Sequence, residues 1–186
     1  MQPRIPRQSA QEQDCRRPDA AADDAGLSDE LAAVISGARR RAVRDGDRQI
    51  DTAHLLHSLL EHDRDVYAVF GDGPQIARLL GYLVQRTIGY GLRWQGAVED
   101  SGGVPVVMAG DGFSPLAASA MEYACRRATL RGDTQARGID LLAAIVVDPQ
   151  ARAVEVLARA GIDADALRTR IDEQRDEYVG GAEPAC

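Results

Sequence analysis

Imidazoles and a carboxylate crowd one short stretch of the chain, at His54, His57, Glu61 and His62, and these are side chains that can hold a zinc-like cation. His57 and Glu61 are one helical turn apart and share a face. His54 and His62 lie further out, and dispersed ligands on a single helix rarely close a tetrahedron, so neither a metal nor another cofactor is expected there. The other chemically active group is cationic. Arg39, Arg40, Arg41 and Arg44 are echoed by Arg126, Arg127 and Arg131, a pattern that suits anion or nucleic-acid binding. Consecutive arginines spread around most of a helix's circumference, and a net charge of −7 opposes a polyanion. A solvated, ion-paired face is the reading, and a nucleic-acid-binding regulator is the alternative. No Ser/His/Asp or Cys/His spacing stands out. All 22 basic residues are Arg, so a phosphate-loop lysine and a lysine Schiff base are excluded. The expectation is a protein that is not an enzyme.

Composition narrows the class. Of the 186 residues, 45% are hydrophobic but only 4% aromatic, so the core must be Ala, Leu, Val and Ile, a palette suited to close-packed helices. No apolar stretch reaches membrane-spanning length, residues 1–26 lack the apolar run of a signal peptide, and no membrane partner is expected. Cys15, Cys125 and Cys186 show neither metal spacing nor a disulfide framework, which points to a reducing cytoplasm. Cys125, next to Ala124, is expected to be a small buried hydrophobe.

These residues are positioned by a repeat. Shifting the chain by 86 positions (132 − 46) lays Gly46-Asp47 on Gly132-Asp133, Ser28 on Ser114, Ala38 on Ala124, and Leu55-Leu56 on Leu141-Leu142. Duplicated helical hairpins build grooves for partners more often than catalytic centres. Ser28 is an N-cap ahead of Leu31, Val34, Ile35, Ala38 and Ala42, and Gly46 closes that helix. Ser114-Pro115 opens its copy, which carries Ala117, Ala120, Met121, Ala124 and Ala128 up to Gly132. A second helix starts near Thr52, and its copy carries Leu141, Leu142, Ile145 and Val146. Further helices are expected over 75–88, from Asp148-Pro149 to Gly161, and after a cap at Asp163. The expected architecture is all-α, two pseudo-twofold four-helix repeats packed as one domain. Its divisions are a disordered tail over 1–26, repeat one over 27–88, a glycine-rich linker over 89–112, repeat two over 113–175, and a tail over 176–186.

A helix ending in Gly, a short turn and a "T-E-H-L-L-x-x-L-L" helix start, duplicated across a linker, resembles the Clp N-terminal domain. The motif stands here as Gln49-Ile50-Asp51-Thr52-Ala53-His54-Leu55-Leu56 and, more degenerately, as Gln135-Ala136-Arg137-Gly138-Ile139-Asp140-Leu141-Leu142. The resemblance covers about residues 27–175 and implies an all-α binding module from the front of the ClpA, ClpB and ClpC unfoldases, bacterial and cytoplasmic. The ATPase modules' phosphate loop is missing. What the resemblance then implies is a stand-alone domain that modulates Clp protease substrate or adaptor recognition, or sequesters a Clp-targeting cyclic peptide. Its implied partners are ClpC or ClpP, peptide substrates or adaptors, or a cyclic peptide natural product, with no nucleic acid.

The resemblance also implies where ligands sit. In ClpC-like members the motif glutamates hold the guanidinium of phosphoarginine. Those positions are Ala53 and Ile139 here, so that route lacks its carboxylates, with Asp51 or Asp140 as possible substitutes. An aromatic before a Thr/Ser-Pro pair marks the antibiotic-binding face, matched by Phe113, Ser114 and Pro115, with Val34, Met121 and Glu122 on neighbouring positions. The lysine of that face falls on Ala118. Val34 and Met121 also lie on apolar stripes, where a place in the core is the favoured reading over ligand contact. Trp94, the only tryptophan, lies in the linker, and the groove between the first helices of the two repeats is the expected site, roofed by 89–112.

Overall fold

The computed structural model describes residues 26–71, 73–87, 99 and 112–180. Repeat one contributes α1 (Asp29–Asp45), α2 (Thr52–His62), α3 (Arg64–Phe70) and α4 (Pro74–Thr87). Repeat two contributes α5 (Pro115–Arg131), α6 (Gly138–Val147), α7 (Arg152–Ala160) and α8 (Ala164–Gly180). Among the described residues there is no strand, and no helix is long and apolar enough to cross a membrane.

Local chemistry explains the helix ends. The Ser28 and Ser114 hydroxyls accept the N–H groups of Leu31 and Ala117, capping α1 and α5 in the same way. Gly46 and Gly132 close those helices at φ 74° and 82°, the left-handed conformation that a Cβ disfavours. α2 opens with a capping box between Asp51 and His54. Asp163 caps α8 by accepting Ala166 N–H at 2.7 Å. One start is displaced from expectation. α7 begins at Arg152 rather than at Asp148-Pro149, because Asp148 spends its side chain and carbonyl on a turn that takes Gln150 N–H and Ala151 N–H.

The repeats are joined reciprocally. Leu27 bridges Ala136 and Ile50 bridges Phe113, both in parallel, and the two pairs interchange under the 86-residue shift. Ser28 N–H donates to Ala136 O at 2.9 Å, and Ser114 N–H donates to Ile50 O at 2.8 Å. The pseudo-twofold axis therefore passes between these bridges. α1 packs on α2, α5 packs on α6, and α2 and α6 fill the centre. Leu55, Leu56, Leu141 and Leu142 are all fully buried in one core. Cys125 corrects the expectation for it: it is exposed on α5, beside the buried stripe of Ala124 and Ala128 rather than on it. Partial desolvation and the Asp140 charge hold its thiol above the ordinary range, so it is no activated nucleophile.

Candidate functional site

Where the helix N-termini of the two repeats converge, one carboxylate collects their free donors. Glu99, 4% exposed, comes from the segment between the repeats. Its Oε2 accepts Thr52 N–H at 2.9 Å and the Ser114 hydroxyl at 2.7 Å; its Oε1 accepts Arg152 N–H at 2.7 Å and the Thr52 hydroxyl. Thr52 Oγ1 in turn accepts Ala153 N–H at 3.1 Å. The residue before α7, Ala151, has no side chain able to cap it. Glu99 caps α7 from a distance while also serving α2 and the cap of α5, and the positive ends of those helices favour its charge. Beside it, Arg152 reaches Asp51 at 2.7 Å, with both side chains largely buried.

Next to this carboxylate lies a cleft of about 180 Å³ between α5 and α6, reaching Thr52 and lined by Leu116, Ala120, Tyr123, Ala144 and Val147. Tyr123 is 39% exposed and Val147 49%, both large apolar side chains open to solvent. The Arg126 guanidinium stands 5.8 Å from the centroid of the Tyr123 ring, within cation–π range. The cleft has a definite origin. The 86-residue shift lays Tyr123 and Ala144 on Gly37 and Ser58 of repeat one, where α1 and α2 close on each other with no room between them.

The residues expected at a ligand site are dispersed. Val34 is fully buried in the core, its carbonyl bonded to the Ser58 hydroxyl, so a surface ligand does not meet it. The Ser114 hydroxyl donates to Glu99 and accepts Ala117 N–H. Phe113, Pro115 and Met121 are half-buried and Glu122 is exposed, while Trp94 lies outside the described residues. Glu99, Tyr123 and Val147 were missed. An acid in a glycine-rich segment, with Asp100 beside it, and single apolar residues on an exposed face give no periodic signal.

The other clusters resolve into internal chemistry. Arg127 and Arg131 converge on fully buried Asp140, and Arg131 also bonds Asp133. Arg41 pairs with Glu61. His57 is buried with Nε2 3.7 Å from Glu61; burial, then the Arg41 charge, lower its pKa to about 4 and keep it neutral.

A solved structure of the N-terminal domain of the caseinolytic protease associated chaperone ClpD from Arabidopsis thaliana superposes with a TM-score of 0.59, at 19% identity, over 80% of this chain and 96% of that one. The chain has the fold of a Clp N-terminal domain. The Hsp104 N-terminal domain from Candida albicans matches with a TM-score of 0.61, at 14% identity, over 81% of this chain and 91% of that one. No protein-family model and no curated protein sequence matches the chain. Within the Clp N-domain fold, the two positions of the motif glutamate are a fully buried Ala53 and a half-buried Ile139. Asp51 and Asp140, the expected substitutes, are already committed to Arg152 and to Arg131, so neither is free to take a ligand's guanidinium.

Proposed function

We propose that the chain is a non-catalytic binding module that takes a peptide segment of a protein partner in the cleft between α5 and α6. The observation that carries this reading is the exposed pair Tyr123 and Val147 in a cleft whose other apolar lining includes Leu116, Ala120, Ala144 and Ile145, with Arg126 at its edge. An aromatic anchor beside an arginine, over a shallow apolar floor, is the usual composition of an interaction hot spot. The Clp N-domain fold directs the choice of partner towards peptide substrates or adaptors of a Clp protease, ClpC or ClpP themselves, or a cyclic peptide natural product aimed at them. The cleft is too small for a whole folded domain, which favours a short segment.

The test is direct binding of purified ClpC and ClpP and of fluorescent peptides, compared with Tyr123→Ala and Val147→Glu. At least a tenfold weakening in both variants supports the cleft, and binding that survives both places the contact elsewhere. A nucleic-acid role is not favoured. Arg41, Arg127 and Arg131 are engaged by carboxylates, and a gel shift is expected to show no salt-sensitive complex.

A further inference from the structure

The cleft between α5 and α6 is continuous with a second space. Val147 lines it and also lines a larger cavity of about 620 Å³, framed by the end of α6, by α7 and by the start of α8. Asp148 belongs to the cleft and Pro149 to the cavity, so the two meet at one short turn. The Val147 side chain, 49% exposed, is the ridge between them. Val146, Val154, Ala158 and Ile162 line the cavity, and the apolar surface therefore continues past the ridge.

Charge is distributed unevenly along this run. Of the arginines on α5, Arg127 and Arg131 are engaged by Asp140. Arg126 makes no ion pair among the described residues, not even with Glu122 one turn before it, and its guanidinium stands by the Tyr123 ring at the edge of the cleft. A guanidinium held on an aromatic face keeps its N–H edge available for a carboxylate. From the ridge onward the charged lining is of the other sign. Asp148 stands at the crossing, with one oxygen taken by Gln150 N–H at 2.8 Å, and Asp163 and Asp165 line the larger cavity. Arg168, 4.0 Å from Asp165 with both side chains exposed, offsets only part of that charge.

We propose, resting on the reading of the cleft as a peptide site, that the segment it takes is extended and carries one acidic residue beside two apolar ones. The partner's aspartate or glutamate carboxylate is set on Arg126, the adjoining apolar side chain against Tyr123 and Val147, and the second apolar side chain in the cavity beyond the ridge. In an extended chain alternate side chains point the same way about 6.5 Å apart, so one strand can place apolar groups on both sides of a single valine. The acid belongs at the Arg126 end alone. A second carboxylate past the ridge would meet Asp148, Asp163 and Asp165, and that repulsion gives the site its selectivity. Because the cleft opens into the larger cavity, the segment passes through it. The group on Arg126 is therefore an internal acidic side chain and not a chain-terminal carboxylate.

The experiment is fluorescence anisotropy of the full chain with short labelled peptides, blocked at both ends and built on Glu-Leu-Ser-Leu in a Gly/Ser frame. Glu→Gln in the peptide, or Arg126→Gln in the protein, is expected to weaken binding about three- to fivefold, the size of one solvent-exposed charge pair, and the two together no further. A second glutamate after the last leucine should weaken it too. Ala158→Glu, at an exposed position of α7, should reduce the peptide to the affinity of its Glu-Leu-Ser-Ser counterpart. Arg126→Glu is expected to prefer the peptide with lysine in place of glutamate. Binding that needs Tyr123 but is indifferent to the peptide's acid, or to Ala158→Glu, would overturn this assignment and leave the cleft a peptide site. No binding at millimolar peptide, or binding unchanged in both Tyr123→Ala and Val147→Glu, would overturn the cleft and this assignment with it.

Discussion

Gly37 and Tyr123 hold the same place on α1 and α5, and only the first lets its helix close on its partner. A Cβ at position 37 would stand 2.2 Å from the Ser58 hydroxyl oxygen, which donates to Val34 O at 2.7 Å. Gly37→Ala therefore forces Ser58 out of a buried hydrogen bond or pushes α1 away from α2. Alanine's better helix propensity returns about 1 kcal/mol, against roughly 2–3 kcal/mol for the lost bond and the overlap. A net loss of about 1–2 kcal/mol in urea unfolding is expected, and a stabilised variant would show that the helices have slack.

Glu99 is expected to matter more for stability than its position between repeats suggests. Four donors from α2, α5 and α7 end on its two oxygens. Glu99→Gln turns an amide group towards donors, and Glu99→Ala leaves all four unpaired. Each should cost about 2–4 kcal/mol, with faster hydrogen exchange at Thr52 and Arg152 N–H as the local signature. Unchanged exchange at those two amides would mean that water replaces the carboxylate without loss.

Acid should weaken the fold through His57. Its pKa is lowered from 6.5 to about 4 in the folded protein, so between those values the unfolded chain takes up a proton that the folded chain refuses. The contribution is intact above pH 6.5 and is lost as pH falls towards 4. The His57→Gln variant is expected to show a shallower decline of Tm across that window than the parent. Parallel curves would assign the acid sensitivity to the carboxylates.

Phosphoarginine should not bind through the motif positions. Ala53 and Ile139 offer no carboxylate, and Asp51 and Asp140 are already paired. Calorimetry with millimolar ligand is expected to show no heat. Ala53→Glu is not a simple restoration, because position 53 is fully buried and a carboxylate there would cost roughly 2 kcal/mol or more. Micromolar saturation of the parent protein would contradict this.

What could be foreseen follows from which signals are local. Ser28, Ser114-Pro115, Gly46, Gly132 and Gly161 mark helix ends through their own backbone chemistry, and the structure places those ends there. α3, seven residues long, is too short to show a stripe, and no sequence signal singled it out. Glu99 was illegible because its role depends on donors brought together only by folding. Tyr123 was illegible because its meaning lies in the contrast with Gly37, which appears only once both helix pairs have been compared. The register that relates the repeats also sets Asp45 opposite Arg131, a charge inversion at one shared position.

The reciprocal bridges also bear on how the molecule is made. Leu27 meets Ala136 across 109 residues of chain (136 − 27), and Ile50 meets Phe113 across 63 (113 − 50). Helices form locally and fast, yet the seam that joins the halves consists of high-contact-order pairings that must wait for the second half. On the ribosome, repeat one emerges with the apolar face of α2 uncovered and remains so until α6 has been synthesised. A nascent chain stalled before Gly138 should thus be a chaperone client.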